Sequence, residues 1–596
     1  MDTTTHATSR PRVLGWIRSA ALLDGDWGTS IAYVLGISFT LASYTSFWHL
    51  SWMLALTALV ALNYITICRL YPNGGGVYSS VSHRSKNLAV VGALLLAADY
   101  VITTSLSVLD AFHYFNLPHP ALGAISVIVL LGVFNWFGPK HSGALAFGIS
   151  AITLATLIVI IVISAPTALT APHIAPPAGG FLKNWGIFVG LILSISGIEA
   201  ISNMTGLMKD PVRDSRRAIL SVLTKVVIAT VFLGLAMNAV PGLTHHTEDM
   251  VRFLGEHYVG HWFGWVVAIA LGLLLISAGN TAINGLVSVQ FLMAVDGELP
   301  GPLRRLNRFG VPIIPLLIAT LAPVLVLSIT HDILILAQLY AIGVVGAVLI
   351  NIGSTATDSS LQLTRASRLW MALSAIVLLF IEISIAIEKP KAALFATIVL
   401  VTGWAARAMA HRKKEELLVK EGMLAKPRRK VVGEPSTSFL VALRGKSEQV
   451  LRFAIEEAKS RNALLYVLRV KEIAVDILPE TMLTVTSAID DWIEDVCEAA
   501  GVDYQIVTLA SNEVGYTIAE HAALFGVQRV ILGTSRRSLV ESAVKGDIIR
   551  VISKHLPEEI EVVIFGVRAE EASRATSPSL KETKAKSEQV ETTAPI

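Results

Sequence analysis

Charged residues and cysteines are scarce in this chain, and each scarcity excludes a class of protein. Only 16% of the 596 residues are charged, while 53% are hydrophobic, a balance that favours a membrane protein over a soluble enzyme. The net charge of +3 is too small to indicate nucleic-acid binding. The two cysteines, Cys68 and Cys497, cannot form a disulfide framework and match no metal-binding spacing. The composition therefore predicts a membrane protein that carries a soluble part.

The sequence also lacks the motifs of several active classes. It contains no Walker motif and no catalytic constellation, so we expect neither an enzyme nor an ATP-driven pump, and no cofactor. No small-residue cleavage site accompanies the first apolar segment, which is therefore expected to remain as a membrane span.

Twelve apolar runs, each about long enough to cross a bilayer, occupy residues 1–410. They cover residues 27–46, 49–69, 87–115, 119–137, 142–165, 185–208, 218–241, 260–295, 312–330, 333–354, 368–387 and 391–409. Lys and Arg are concentrated in the loops that follow the even-numbered runs, which predicts that these loops and both chain termini are cytoplasmic. The expected protein is an α-helical polytopic protein of the inner cell membrane with about twelve transmembrane helices.

The composition changes abruptly at the end of this transporter-like domain. Residues 411–436 are basic and helical in pattern, and we expect them to form a juxtamembrane linker near anionic lipid headgroups. Residues 437–567 alternate strand and helix patterns, which predicts a cytoplasmic α/β domain with a parallel sheet. Residues 568–596 are polar and almost free of large apolar side chains, which is typical of a disordered tail.

Two of the apolar runs are interrupted by glycine and carry acidic residues. The first contains GDWGTSIAYVLG and the sixth contains LSISGIEAISNMTG. Two broken helices five apart are expected in transporters built from two inverted five-helix repeats, whose substrate site lies at the breaks. Asp24 and Asp26 have a simpler interpretation as caps of the first helix at the membrane surface, whereas Glu199 lies too deep in its run for capping.

Hydroxyl and carboxyl side chains fall on the helix faces that would line such a site. The predicted lining consists of Asp26, Tyr33, Tyr100, Thr103, Ser107, Ser196, Glu199 and Tyr340. Negatively charged oxygen ligands without a basic residue suit a small inorganic cation, while the carboxylate of an amino acid requires free amides at a helix N-terminus. The hydroxyls have an alternative role in helix packing, and the tyrosines as core aromatics. Asp99 is predicted to point to a different face.

The quoted motifs resemble those of a known transporter family. GDWGTSIAYVLG resembles the GDIGTSPLYVL-type first-helix motif of the Kup potassium uptake permeases. Together with DYVITTSLS, SGIEAISN and the fused C-terminal domain, it looks most like the KimA-type branch of the amino acid–polyamine–organocation superfamily. The resemblance implies the LeuT-type 5+5 inverted-repeat fold and import of potassium with a proton by a homodimer that meets through its cytoplasmic domains. It places the eight lining residues on the potassium path, with Glu199 or Asp26 carrying the proton.

The C-terminal domain resembles the universal stress protein fold. In GTSRRSLVESAVKGD, Gly533 and Gly546 have the spacing of that family's nucleotide-binding glycines. Arg536 and Asp547 replace the middle glycine and the final hydroxyl residue, which argues against ordinary ATP binding. The resemblance therefore implies dimerisation or regulation, with a nucleotide signal as a candidate ligand.

Two alternatives to potassium transport stay open. The first is an amino-acid or amine permease of the same superfamily, because acids in both broken helices also suit an organic cation. The first helix lacks the GSGI-like glycine cluster that such permeases often carry. The second alternative, from another class, is a membrane-tethered nucleotide sensor, against which the departures at Arg536 and Asp547 argue.

Overall fold

The computed structural model describes residues 12, 14–74, 76–138, 143–170, 172–243, 246, 248–418, 429–430, 437–473, 488–511, 513–534 and 547–566. The chain divides into two compact units, one formed by the helices up to residue 418 and the other by the C-terminal sheet and its helices. Arg536, Gly546 and the predicted tail at 568–596 lie outside the described residues.

Within the described residues, the first unit consists of helices joined by turns and loops, with two isolated β-bridges, Leu14–Met208 and Leu306–Pro312. Its α-helices are α1 Trp16–Asp24, α2 Ser30–Ala42, α3 Ser46–Leu70, α4 Gly76–Ser82, α5 Lys86–Tyr114, α6 Pro120–Trp136, α7 Gly143–Thr170, α8 Phe181–Gly190, α9 Ala200–Met204, α10 Pro211–Asn238, α11 Met250–Tyr258, α12 His261–Val295, α13 Ile313–Ile329, α14 Ile333–Thr357, α15 Arg365–Glu388 and α16 Pro390–Leu418. Each of the twelve predicted runs coincides with a helical part of the chain.

The lengths and composition of these helices identify a polytopic membrane protein. Within the described residues, eight helical stretches are long and apolar enough to cross a membrane, and the bent pair α8 and Ile192–Leu207 makes a ninth. The two remaining apolar helices, α6 and α13, are shorter at 17 residues each. One of the eight stretches, Trp27–Leu70, contains both the first and the second predicted run, which are joined by a 3-10 turn. The predicted helical membrane fold is confirmed.

The first and sixth runs are broken, as their glycines predict. Between α1 and α2 the chain forms a 3-10 turn at Trp27–Thr29, and between α8 and α9 it forms another at Ile192–Ile195. The second break bends the span by 45°. Gly197 follows it with φ of +85°, a left-handed conformation that residues with a side chain rarely adopt. The second break therefore arises where glycine permits a backbone that a regular helix excludes.

The long helix α5 lies at the centre of the helical unit. It is buried along most of its length and packs against α12 and α14. Small residues permit close approach of the helices: a methyl group at Gly343 of α14 would lie 2.8 Å from the backbone nitrogen of Asp99 on α5. By contrast, α7, α15 and α16 expose large apolar side chains, which suit contact with lipid.

The second unit contains a sheet flanked by helices. Its elements are β1 Arg429–Lys430, β2 Ser438–Ala442, α17 Glu448–Ser460, β3 Leu464–Glu472, α18 Ala488–Ala500, β4 Tyr504–Ser511, α19 Val514–Leu524, β5 Arg529–Gly533, α20 Ile548–His555 and β6 Glu561–Phe565. The strand order is β1-β4-β3-β2-β5-β6. The pairs β2–β3, β2–β5 and β5–β6 are parallel, and β1 joins the edge antiparallel to β4.

The parallel sheet follows from the sequence pattern. The central strands β2 and β5 have three consecutive buried residues each, as expected where helices cover both faces. Phe439, Leu451, Val467 and Ile531 are among the side chains of one core cluster between sheet and helices. Parts of the predicted linker take regular structure, since α16 continues to Leu418 and Arg429–Lys430 forms β1.

Candidate functional site

Three carboxyl groups from separate segments meet inside the helical unit. Asp26 comes from the first break, Asp99 from α5, and Glu199 from the position before α9. Their exposed fractions are 2%, 1% and 5% respectively. Asp99 and Glu199 lie within interaction distance of each other, and both interact electrostatically with Asp26. The two broken spans and the central helix thus bring their acids into one buried carboxyl cluster, Asp26–Asp99–Glu199.

Hydroxyl groups surround this carboxyl cluster. Thr103 donates to the backbone carbonyl of Asp99 at 2.9 Å and contacts its Oδ1 at 3.3 Å. Tyr340 of α14 donates to the hydroxyl of Ser196 and lies near Asp99. Tyr33 of α2 lies near Ser196 as well. Hydroxyls from four segments therefore face the carboxyls.

Two predicted lining residues sit at the margin of this arrangement. The hydroxyl of Tyr100 accepts a hydrogen bond from Asn203 Nδ2 at 2.8 Å, and it interacts electrostatically with all three carboxyls. Ser107 is buried one helical turn beyond Thr103 on α5 and takes no part in the hydrogen bonds described above. The structure thus brings seven of the eight predicted lining residues to the carboxyl cluster and leaves Ser107 further along the helix.

Among the described residues, no basic side chain pairs with the carboxyl cluster. The charged groups that act on Asp99 and Glu199 within the described chain are other carboxyls. One oxygen each of Asp26, Asp99 and Glu199 has no hydrogen-bond partner among the described residues. Burying an ionised carboxylate without a partner costs several kcal/mol of folding free energy, even after the surrounding protein has relaxed. The cluster therefore requires protons or a bound cation to be stable.

Asp99 is the site residue that the sequence interpretation missed, since we predicted that it points to a different face. Asp99 and Thr103 are four residues apart, and side chains with that spacing share one side of a helix. Asp99 lies directly in the carboxyl cluster, so the prediction was wrong. The spacing to Thr103 was the signal that could have placed it there.

The two breaks touch each other through their backbones. A methyl group at Gly197 would lie 2.5 Å from the Trp27 backbone nitrogen, so the second break covers that amide. The indole Nε1 of Trp27 donates to the Ser194 carbonyl at 3.2 Å, and Trp27 is completely buried. This contact holds the segments that carry Asp26 and Glu199 together.

Asp24 has a different role from its neighbour Asp26. Its two oxygens accept hydrogen bonds from Lys225 Nζ of α10 at 2.7 and 2.6 Å, and Ser150 of α7 donates to it at 2.5 Å. Asp24 is the last residue of α1 and cannot cap its start, and Asp26 makes no side-chain capping bond. The capping interpretation is wrong for both residues: Asp24 joins three helices, while Asp26 reaches the carboxyl cluster.

The described chain contains no group of three or more His, Cys, Asp or Glu side chains arranged to hold a metal ion. A transported cation can be coordinated by hydroxyl and carbonyl oxygens as well, and does not require such a group.

In the C-terminal unit, Gly533 ends β5 beside β2. The strand order reverses between these two strands, which is where ligands of open α/β sheets usually bind. Asp547 caps α20 by accepting a hydrogen bond from the Ile549 backbone at 3.0 Å. A carboxylate thus already occupies the end of α20 that would attract a phosphate.

The helical unit is similar to known permeases. A family model described as amino acid permease matches residues 14–406. An uncharacterized transporter of Legionella pneumophila is 28% identical over 310 residues, which cover 47% of this chain and 65% of that protein. A D-serine/D-alanine/glycine transporter of Escherichia coli is 24% identical over 237 residues, which cover 36% of this chain and 50% of that protein. The lysine-specific permease of Escherichia coli is 27% identical over 148 residues, which cover 23% of this chain and 30% of that protein. The chain thus spans less than two thirds of the length of each of these relatives.

Proposed function

This chain belongs to the amino acid permease family, and we propose that it is a secondary transporter whose cargo is a small cation, with potassium as the first candidate. The observation that carries the proposal is the buried carboxyl cluster, which the described chain does not balance with a basic side chain. Hydroxyl and carbonyl oxygens around a negative charge replace the hydration shell of a monovalent cation. Transport, and not catalysis, is the activity that the family implies.

The same cluster disfavours a zwitterionic amino acid. Its carboxylate would meet the negative charge of Asp26, Asp99 and Glu199, and like charges repel. The free amides of a broken helix normally bind such a carboxylate, but here Gly197 lies directly against the Trp27 amide. A cation without a carboxylate avoids both problems.

The second candidate is an organic substrate. The relatives with a named cargo carry amino acids, one of them lysine, so the comparisons support an amino-acid or amine permease rather than potassium uptake specifically. An ammonium group would also be stabilised by three carboxyls. Under this alternative the ammonium end of the substrate would occupy the position that we assign to potassium.

We infer coupling to a proton from the proximity of Asp99 and Glu199. Two neighbouring buried carboxyl groups without a basic partner cannot both be ionised at low cost, so one of them holds a proton. We propose that this proton and the cation bind from the outside together and leave together on the cytoplasmic side, with the negative charge of Asp26 facing the cation. Rocking of one helical repeat against the other would expose the site alternately to each side.

The test is uptake of rubidium, a potassium analogue, by the purified protein in liposomes, with a pH difference across the membrane. Competition by potassium, sodium, lysine and putrescine identifies the cargo. We expect potassium to compete and the organic compounds to have no effect. Competition by lysine or putrescine alone, or uptake of lysine without rubidium uptake, would establish the organic alternative.

Variants then test the carboxyl cluster. Asp26→Asn, Asp99→Asn and Glu199→Gln are each expected to abolish rubidium uptake at an unchanged protein level. Glu388→Gln is the matched control, because Glu388 is an exposed acid at the end of α15. Uptake that survives all three cluster substitutions would refute a role for the carboxyl cluster in transport.

We further propose that the C-terminal unit, cytoplasmic with both termini, forms a homodimer contact and regulates transport. The placement of Gly533 at the strand-order reversal supports a ligand site there, and the carboxylate of Asp547 disfavours a phosphate at α20. Calorimetric titration of the full-length protein with nucleotides tests the ligand site. Light scattering measures the mass of the protein in solution and tests the homodimer. A monomer that binds no nucleotide would refute them.

A further inference from the structure

A fourth buried carboxyl lies on α5, away from the carboxyl cluster. Asp110 is 0% exposed, and neither of its carboxyl oxygens has a hydrogen-bond partner among the described residues. Burying a charged group without any partner costs much more than burying a paired one. Asp110 therefore requires a proton or a cation.

Asp110 is aligned with the carboxyl cluster along the same helix. It is eleven residues beyond Asp99, which corresponds to about 16 Å along the axis and a rotation of only about 20° from Asp99. The hydroxyl of Tyr33 on α2 interacts electrostatically with both Asp26 and Asp110. Tyr33 is thus near both the carboxyl cluster and Asp110.

Acidic residues also lie on the other side of Asp110, near the beginning of α11. Glu248 and Asp249 interact electrostatically with Asp110, and their side chains are 46% and 33% exposed. They belong to the loop after the seventh predicted run, which we expect to face outside. The acids therefore continue from an accessible surface, through Asp110, to the interior.

The basic groups of this region are already engaged. His113 pairs with Glu248 at 2.6 Å, and His246 pairs with Asp249 at 3.2 Å. Arg252 pairs with Glu256 at 3.0 Å and donates to the Tyr114 carbonyl at 2.7 Å. In the part of the chain that the structure describes, the charged groups that act on Asp110 are both acidic.

We propose that Asp110 is an outer binding site for a monovalent alkali cation, which it receives from the Glu248–Asp249 surface and passes along Tyr33 to the carboxyl cluster. This inference rests on the proposed cation cargo. The negative charge of Glu248 and Asp249 raises the local concentration of cations at this surface. The buried negative charge of Asp110 offsets part of the hydration free energy that a cation loses when it moves inward from there.

Asp110→Asn in liposomes tests the site through the concentration dependence of rubidium uptake. We expect the half-saturating rubidium concentration to rise roughly tenfold or more, since focusing of ions by charge changes association by at least this factor. The rate at saturating rubidium should change much less, because the carboxyl cluster is intact. Glu388→Gln, the exposed control, should match the wild type, and an equal half-saturating concentration in Asp110→Asn would overturn the proposal.

Carbodiimide labelling of the wild-type protein gives a second measurement that does not depend on folding of the variant. Asp110 should be modified without alkali cations and protected by rubidium or potassium, as read by peptide mass spectrometry. Modification that rubidium does not reduce would show that Asp110 carries only a proton, and would overturn the site. If the wild type takes up no rubidium, the proposed cargo is wrong. In that case protection of Asp110 by rubidium still supports the outer site, and absence of protection overturns it.

Discussion

Replacing Lys225 with methionine tests the ion pair that joins α1 to α10. Methionine fills a similar volume but cannot pair with Asp24, whose side chain is only 3% exposed, while that of Lys225 is 9% exposed. Removing one partner of a buried pair costs about 3–5 kcal/mol. Ser150 still donates to Asp24, and a hydrogen bond to a charged group contributes about 1.5–3 kcal/mol. We therefore expect a loss near the lower end, about 3 kcal/mol.

The double variant Asp24→Asn with Lys225→Met separates this cause from a packing defect. Replacing both members of a buried pair is often neutral or stabilising, so the double variant should recover most of the lost stability. Thermal unfolding in detergent, followed by size-exclusion chromatography, measures all three proteins. The reasoning is refuted if Lys225→Met unfolds at the wild-type temperature, or if the double variant is less stable than Lys225→Met.

Three further outcomes are expected. Gly197→Ala should lose rubidium uptake and lower the unfolding temperature, because its φ of +85° is strained for alanine and its methyl group would meet the Trp27 amide; normal uptake would contradict this. Burial raises the pKa of the Cys497 thiol to about 12, so maleimide should label it only after unfolding, as measured by intact mass. Burial lowers the pKa of His521 below its usual 6.5. The unfolded chain therefore binds a proton at this residue more readily than the folded chain does. The free energy of unfolding of the C-terminal unit should fall as the pH drops below about 6.5. His521→Gln should flatten this dependence in hydrogen exchange of the full-length protein.

Hydropathy and glycine patterns were enough to predict the architecture. A membrane helix must satisfy all its backbone hydrogen bonds internally, so its apolar run is visible in the sequence without knowledge of its neighbours. The interruptions at GDWG and SISG likewise mark the two breaks. The strands and helices of the C-terminal unit were predictable because buried parallel strands form short apolar runs between amphipathic helices.

The roles of individual acids depended on the tertiary structure. Asp24 and Asp26 are two residues apart, yet one pairs with Lys225, 201 residues later in the chain, and the other joins the carboxyl cluster. Asp99 was assigned to the wrong face although its spacing to Thr103 indicated the correct one, and only the packing shows that Asp26 and Glu199 meet it there. Asp110 does not stand out in the sequence, because it is identified only by its lack of a hydrogen-bond partner among the described residues.

The sequence by itself thus determined where this chain crosses the membrane, where two spans break, and which residue types surround the breaks. These properties depend on local backbone chemistry and on the transfer of side chains into lipid, which each segment experiences alone. The tertiary structure decided which carboxyls are paired and which are not. Charge pairing is a property of distances between segments, and the helical unit sets those distances only when α5, α10 and the two broken spans pack together.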